Sequence, residues 1–222
     1  FGESMEDAAA GIAAVHQATG LTDEALAETT KAAYALSDTF GYDVTESARA
    51  ARAMMQNFGI DGEDAMSMIA AGAQNGLDFS GELLDSISEY SVQFSKLGFG
   101  ADEMFNIFAQ GAENGAWNLD KVGDAVKEFS IRSIDGSKST MEAYEALGLS
   151  SGTMMERLAA GGEGAASGFR DVLSRLMRVE DQVERDAIGV QLFGTQWEDL
   201  GVDAVKAMLN ASDAAYDTGD AM

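Results

Sequence analysis

This sequence of 222 residues predicts an all-α fold of stacked helical hairpins, about ten to twelve helices with no sheet. Three observations predict it. Glycines recur at positions 20, 41, 59, 76, 98, 115, 136 and 148, a spacing that suits helices of three to five turns. Glycine supplies the left-handed conformation that closes a helix C-terminus. Proline is absent, so no residue forbids a helical interior. Residues 58–91 and 97–130 also repeat one pattern at an offset of 39. Gly59 pairs with Gly98, Ala70 with Ala109, Asn75-Gly76 with Asn114-Gly115, Asp85 with Asp124 and Glu89 with Glu128. A fainter third copy begins at Gly20, 39 residues before Gly59. Self-similarity at this period marks stacked supersecondary units.

In chain order, residues 1–19 are expected to form an N-terminal helix that carries His16. After Gly20, Asp23-Glu24 place carboxylates in a first turn, where the helix dipole favours them. Glu63-Asp64 and Asp102-Glu103 do the same after Gly59 and Gly98. Four stretches have capping-box spacing: Asp43–Glu46, Ser139–Glu142, Thr153–Glu156 and Thr195–Glu198. Leu83, Ile87, Tyr90, Phe94 and Leu97 step by four and three, a single helical seam. Further seams are Met104, Phe108 and Gly111; Val122, Val126 and Phe129; Phe169, Val172, Leu173 and Leu176; and Val202, Val205 and Leu209. The segment 159–168 (AAGGEGAASG) holds four glycines in ten positions and reads as a flexible hinge. The expected organisation is thus a helix over 1–19, a hairpin array over 20–158, a hinge over 159–168 and a C-terminal helical unit over 169–222.

Charge narrows the function classes. The chain has 38 acidic and 14 basic side chains, net −24. The imbalance is −16 over residues 1–120 and −8 over 121–222. Such a surface repels nucleic-acid phosphates, so no direct nucleic-acid binding is expected. No apolar run reaches the roughly 18–20 residues that span a bilayer, so no membrane segment is expected in this span. Cysteine is absent, which excludes disulfides and thiol chemistry. The chain opens on Phe1 rather than methionine and reads as a piece of a longer protein.

No catalytic, cofactor-binding or metal-ligating residue is expected. His16 stands without a second histidine or a cysteine. The pairs Asp102-Glu103 and Asp199/Asp203 could carry acid–base chemistry or hold a hard cation, but helix-start chemistry and a solvated face explain them. Gly136-Ser137-Lys138-Ser139 lacks the glycine spacing and preceding strand of a phosphate loop. Arg170, Arg175, Arg178 and Arg185 are matched locally by Asp171, Glu180, Asp181 and Glu184, a salt-bridged segment rather than a phosphate site. Two aromatic features stand out as partner contacts. Trp117 sits in a loop of small residues, and Leu192-Phe193 lead through Gly194 to Trp197. Of the two tryptophans, Trp197 reads as core and Trp117 as contact.

Several phrases carry a family resemblance. They are Ala18-Thr19-Gly20-Leu21-Thr22, Phe58-Gly59-Ile60-Asp61-Gly62-Glu63-Asp64-Ala65, Ala73-Gln74-Asn75-Gly76-Leu77 and Leu97-Gly98-Phe99-Gly100-Ala101-Asp102-Glu103. With the later Ala187–Gly194 and Trp197-Glu198-Asp199-Leu200, their order and spacing resemble the minor-tail domain of tape-measure proteins of tailed bacteriophages over roughly residues 10–210. The resemblance implies a non-enzymatic structural protein of the virion tail, made in the host cytoplasm during assembly. Its implied partners are the tail tube, other tail proteins, tail assembly chaperones and further copies of itself, and it implies a role in setting tail length. A continuous helix of 222 residues would reach about 330 Å; the glycine stops predict an anchoring or terminal domain instead of that rod. The rival readings are an acidic helical-repeat module that holds a basic protein partner, and a hydrolase that uses acidic pairs.

Overall fold

Glycines in the left-handed region separate most of the helices, because only a residue without Cβ turns the chain there at little cost. The computed structural model describes residues 5–212; the expected extents 1–19 and 169–222 run past these limits at 1–4 and 213–222. The described residues form twelve α-helices and no strand. They divide into two compact units at Ser91/Val92, a boundary inside the fifth helix.

The first unit contains α1 (Met5–Thr19), α2 (Asp23–Phe40), α3 (Val44–Phe58), α4 (Gly62–Gln74) and the start of α5 (Leu83–Lys96). Three-residue connections turn α1 into α2, α2 into α3 and α3 into α4, at Gly20, Gly41 and Gly59 (φ 75, 77 and 73°). Asp43 caps α3 by accepting from the Thr45 and Glu46 amides (2.8 and 3.0 Å), and Asp61 caps α4 by accepting from Asp64 N (2.8 Å). In space α1 packs on α3 and α2 on α4, and each helix also touches its sequence neighbour. The core is built from Val15, Leu36, Met54, Met66 and Ile69 among many buried alanines. Small residues let the helices approach: the Tyr34 ring occupies the space a Cβ on Gly11 would need, and its hydroxyl donates to Asp7 O at 2.6 Å.

The second unit, from Val92 on, contains the end of α5, α6 (Ala101–Glu113), α7 (Leu119–Arg132), α8 (Lys138–Ala146), α9 (Ser151–Ala159), α10 (Gly162–Leu176), α11 (Gln182–Phe193) and α12 (Gln196–Ala211). Here the last helix returns to the first: α12 packs on α6 and α7, while α11 packs on α7 and α8. A row of aromatic rings runs through its core. Phe108, Phe94, Phe99, Phe169, Phe129, Phe193 and Trp197 follow one another at centroid distances of 5.0–6.2 Å. Edge-on and tilted pairs of this kind add to burial alone.

Several expectations need correction. Among the described residues, 169–212 do not form a separate C-terminal unit: α11 and α12 share a core with α6 and α7, helices of the expected array over 20–158. In a linear array each repeat touches only its neighbours; the α6–α12 pairing joins segments far apart in the chain. The stretch 159–168 is not an open hinge either, since α10 starts at Gly162 and runs through it. Gly161 and Gly162 have φ of 71 and 60°, and a Cβ on Gly98 would run into the Gly162 carbonyl. Glycine serves a close backbone crossing at Gly98 and at Gly161, where a Cβ would lie 3.3 Å from Lys96 O, and a left-handed turn at Gly162. Two caps lie elsewhere, and a third, at the expected residue, makes no side-chain bond. Ser137, not Ser139, caps α8 by accepting from Thr140 N at 3.1 Å; Ser150, not Thr153, is the N-cap residue of α9; Thr195 precedes α12 with a helical backbone and no side-chain bond. In α12 a break at Gly201 (φ 76, ψ 165°) turns the buried face to Ala204, Val205 and Met208, leaving Val202 and Leu209 half-buried.

The 39-residue spacing has a structural counterpart in helix starts. Helices α2, α4 and α6 begin at 23, 62 and 101, and each follows a left-handed glycine three residues earlier. Helices α4 and α6 also end 39 apart, at 74 and 113. The next pair does not hold that register. Helices α5 and α7 start at 83 and 119, because the 114–118 connection is shorter than 75–82.

Candidate partner-contact site

The loop 114–118 holds Trp117 outward by fixing the backbone on both sides of it. Ala116 N donates to Gly111 O (3.0 Å), Asn114 Nδ2 donates to Gln110 O (2.8 Å), and Gly115 makes the turn at φ 122°. On the other side Asn118 is the N-cap of α7 and accepts from Lys121 N at 3.1 Å. Ala116 and Asn118 are buried, whereas Trp117 is 66% exposed. One turn into α7, Lys121 Nζ lies 5.9 Å from the indole centroid, within reach of a cation–π contact. The same ammonium pairs with Asp199 at 2.7 Å. That hydrogen bond, with Asp124 and Asp120 nearby, raises the Lys121 pKa against the opposing effect of desolvation and keeps the group cationic. The surface is therefore an exposed indole beside a neutralised ion pair, suited to protein contact through apolar area.

Leu192, Phe193 and Trp197 do not join it. Leu192 and Phe193 are fully buried, and Trp197 is 3% exposed. The Trp197 indole lies in the space a Cβ on Gly189 would take, one side against Phe193, and its Nε1 donates to Asp186 Oδ1 at 3.0 Å. These three side chains build the core between α7, α11 and α12. Lys121 and Asp199 were missed as part of the Trp117 surface. Lys121, four residues from Trp117 at helical spacing, was legible in principle; Asp199 is 78 residues further on and reaches the site only through the packing of α12 on α7.

The candidates for chemistry have structural duties. Glu103 accepts from Gly100 N (2.7 Å) at the start of α6 and from Arg170 Nη2 (2.7 Å). Arg170 also donates to Ser212 O, lies over the Phe99 ring and stands 3.5 Å from Glu163, so its partners include residues remote in sequence as well as a local acid. Arg175 does pair with Asp171, at 2.9 Å. His16 Nδ1 meets the Leu21 carbonyl at 2.7 Å across the first turn of the chain. Among the described residues no group of three or more His, Cys, Asp or Glu side chains is placed to hold a metal ion, and no helix is long and apolar enough to cross a membrane.

A family model for phage-related minor tail proteins matches residues 1–194, most of the chain. The chain belongs to the phage-related minor tail protein family. The match includes Trp117, Leu192 and Phe193 and ends before Trp197. This minor-tail chain is also 45% identical over 138 residues to a "Probable tape measure protein" of Streptomyces phage phiC31. That alignment covers 62% of the chain and 19% of the relative, so the chain spans about a fifth of that protein's length. No solved structure matches it.

Proposed function

We propose that this chain is a non-enzymatic structural domain of a tape-measure protein, acting in tail assembly and in the determination of tail length. The observation that carries the reading is the family match over residues 1–194, supported by the phiC31 relative. The helices favour an anchoring domain over the measuring rod itself, because a left-handed glycine ends the run of helix again and again. In this reading the domain resides in the virion tail after assembly in the host cytoplasm. It contacts the tail tube, other tail proteins and the tail assembly chaperones, and it associates with further copies of itself. Trp117 is the anchor of one such contact.

The test uses the phage that encodes the chain. Tails are imaged by negative stain after in-frame removal of codons 5–212, and separately after Trp117→Ala. Removal should abolish tails or change their length, and Trp117→Ala should reduce incorporation of a protein that still folds. Tails of normal number and length after removal of the whole segment would overturn the proposal.

A further inference from the structure

Helices α2 and α4 leave a groove of about 370 Å³ along their contact. Its floor is apolar, with Ala32, Leu36 and Ala70 buried beneath the half-buried Ala35 and Phe40, while Lys31, Thr39 and Gln74 stand along its edges. Towards the start of both helices it runs through the shared residues Glu28 and Glu63 into a second hollow, lined also by Asp23, Glu24 and Asp61. One length of surface thus grades from apolar to acidic.

The charge at the acidic end can be weighed. Five carboxylates face it, and among the described lining residues the base is Lys31, 3.6 Å from Glu28. Two helix N-termini add about half a positive charge each, leaving a local charge of about −3. Helix-start preference explains why Asp23, Glu24, Asp61 and Glu63 occur where they do. It does not explain the shortage of bases around them. Residues 1–91 carry 16 acidic side chains against Lys31, Arg49 and Arg52. Arg49 and Arg52 line a different groove, with Glu46 and Asp85.

We infer that the α2–α4 groove receives a basic amphipathic helix from another protein. Its apolar side chains would seat against Ala35 and Phe40, above the buried floor of Ala32, Leu36 and Ala70, and its Lys or Arg side chains would meet Glu28 and Glu63. This is the helix-in-groove mode of recognition, with charge setting orientation and partner choice. A second copy of this chain is a poor occupant of this groove, whose five carboxylates call for a cluster of bases where the chain has 14 bases against 38 acids; contacts between copies through other surfaces are a separate matter. The inference goes beyond the tail reading in naming a partner chemistry. It is tested on the isolated chain, so its failure is distinct from failure of the tail-length experiment.

The probe is a fluorescently labelled peptide of leucine and lysine, roughly 14 residues or four helical turns, with leucine on one face. The control peptide has the same composition with the leucines scattered, which measures attraction to the acidic surface alone. Anisotropy titrations into the 222-residue protein in 0.15 M salt should show the amphipathic probe binding at least about tenfold tighter. Ala35→Trp, which fills the groove at a half-buried position, should remove that advantage and leave control binding unchanged. The double substitution Glu28→Gln, Glu63→Gln should weaken the probe and flatten its salt dependence. Equal binding of the two peptides, or an unchanged advantage in a folded Ala35→Trp protein, overturns the inference. Amide shifts of the unsubstituted protein provide a measurement that needs no variant: on adding the probe they should concentrate in α2 and α4, and shifts centred elsewhere overturn it.

Discussion

The indole of Trp197 rests directly on Gly189, where any β-carbon would collide with it, and one edge of that ring satisfies Asp186. Deleting it leaves a large void between three helices and an unpaired carboxylate. Trp197→Ala should therefore lower stability by about 3–5 kcal/mol in urea unfolding. Trp117→Ala, at an exposed position, should stay within about 0.5 kcal/mol of the parent; a loss as large as that of Trp197→Ala would show that the 114–118 loop depends on its indole. Tyr144 makes a pH-dependent contribution. Its buried hydroxyl donates to Ser133 O at 2.8 Å, and burial raises its pKa above the ordinary 10.0. The unfolded chain ionises first, so this stability is intact below pH 10 and is lost as pH rises beyond it. Tyr42, raised by burial and by Asp78, acts with the same sign. Tyr144→Phe should cost about 1–3 kcal/mol near neutrality, and the gap to the parent should narrow above pH 10 in unfolding titrations.

Among the helices, the glycines divide by what surrounds them. Gly59 and Gly98 occupy matching positions of the 39-residue pattern with φ of 73 and 80°. A Cβ on Gly59 meets nothing within 4 Å, whereas one on Gly98 meets the Gly162 backbone. Gly59→Ala should cost about 1–2 kcal/mol, the strain of a left-handed alanine. Gly98→Ala should cost clearly more, and equal melting temperatures for the two variants would contradict the close crossing. Gly164 tests the helix that replaced the expected hinge. It is exposed within α10, and a Cβ there meets only Arg157 Cγ at 4.0 Å. Gly164→Ala should stabilise the protein by about 0.5–1 kcal/mol; a neutral or negative change in calorimetry would indicate that the segment is not helical in solution. Helix content, the glycine stops and first-turn acids such as Glu63 and Asp102 were legible from local sequence. The start of α8 was not: Ser137 and Ser139 both have capping chemistry, and the position of the helix relative to Gly136 decides between them.

For the whole molecule, charge outweighs any single pair. With 38 acids against 14 bases most carboxylates have no base to pair with, and their mutual repulsion opposes the compact state. Raising salt from about 0.01 to 0.1 M shortens the Debye length from about 30 to about 10 Å. The melting temperature should therefore rise over that range, even though the surface ion pairs, such as Lys138–Glu142, weaken slightly. A falling melting temperature would mean that ion pairing, not repulsion, dominates. The same charge predicts no gel shift of DNA at micromolar protein near physiological salt.

The sequence by itself determined the all-α class, most helix ends and the acidic character, because helical periodicity, left-handed glycine and charge act over a few residues and need no distant partner. The reading of Trp197 as core agrees with its burial, and Trp117, read as a contact, is exposed as a contact requires. Only the tertiary structure decided that Leu192 and Phe193 are core, that Asp199 stands beside Lys121, and that α12 packs on α6. The unit boundary at Ser91/Val92 falls inside a helix, where local signals mark no break. The physical reason is common to all of these. A run of apolar residues shows that a face will be buried but not what will cover it, and that choice rests on shape and charge between segments distant in the chain.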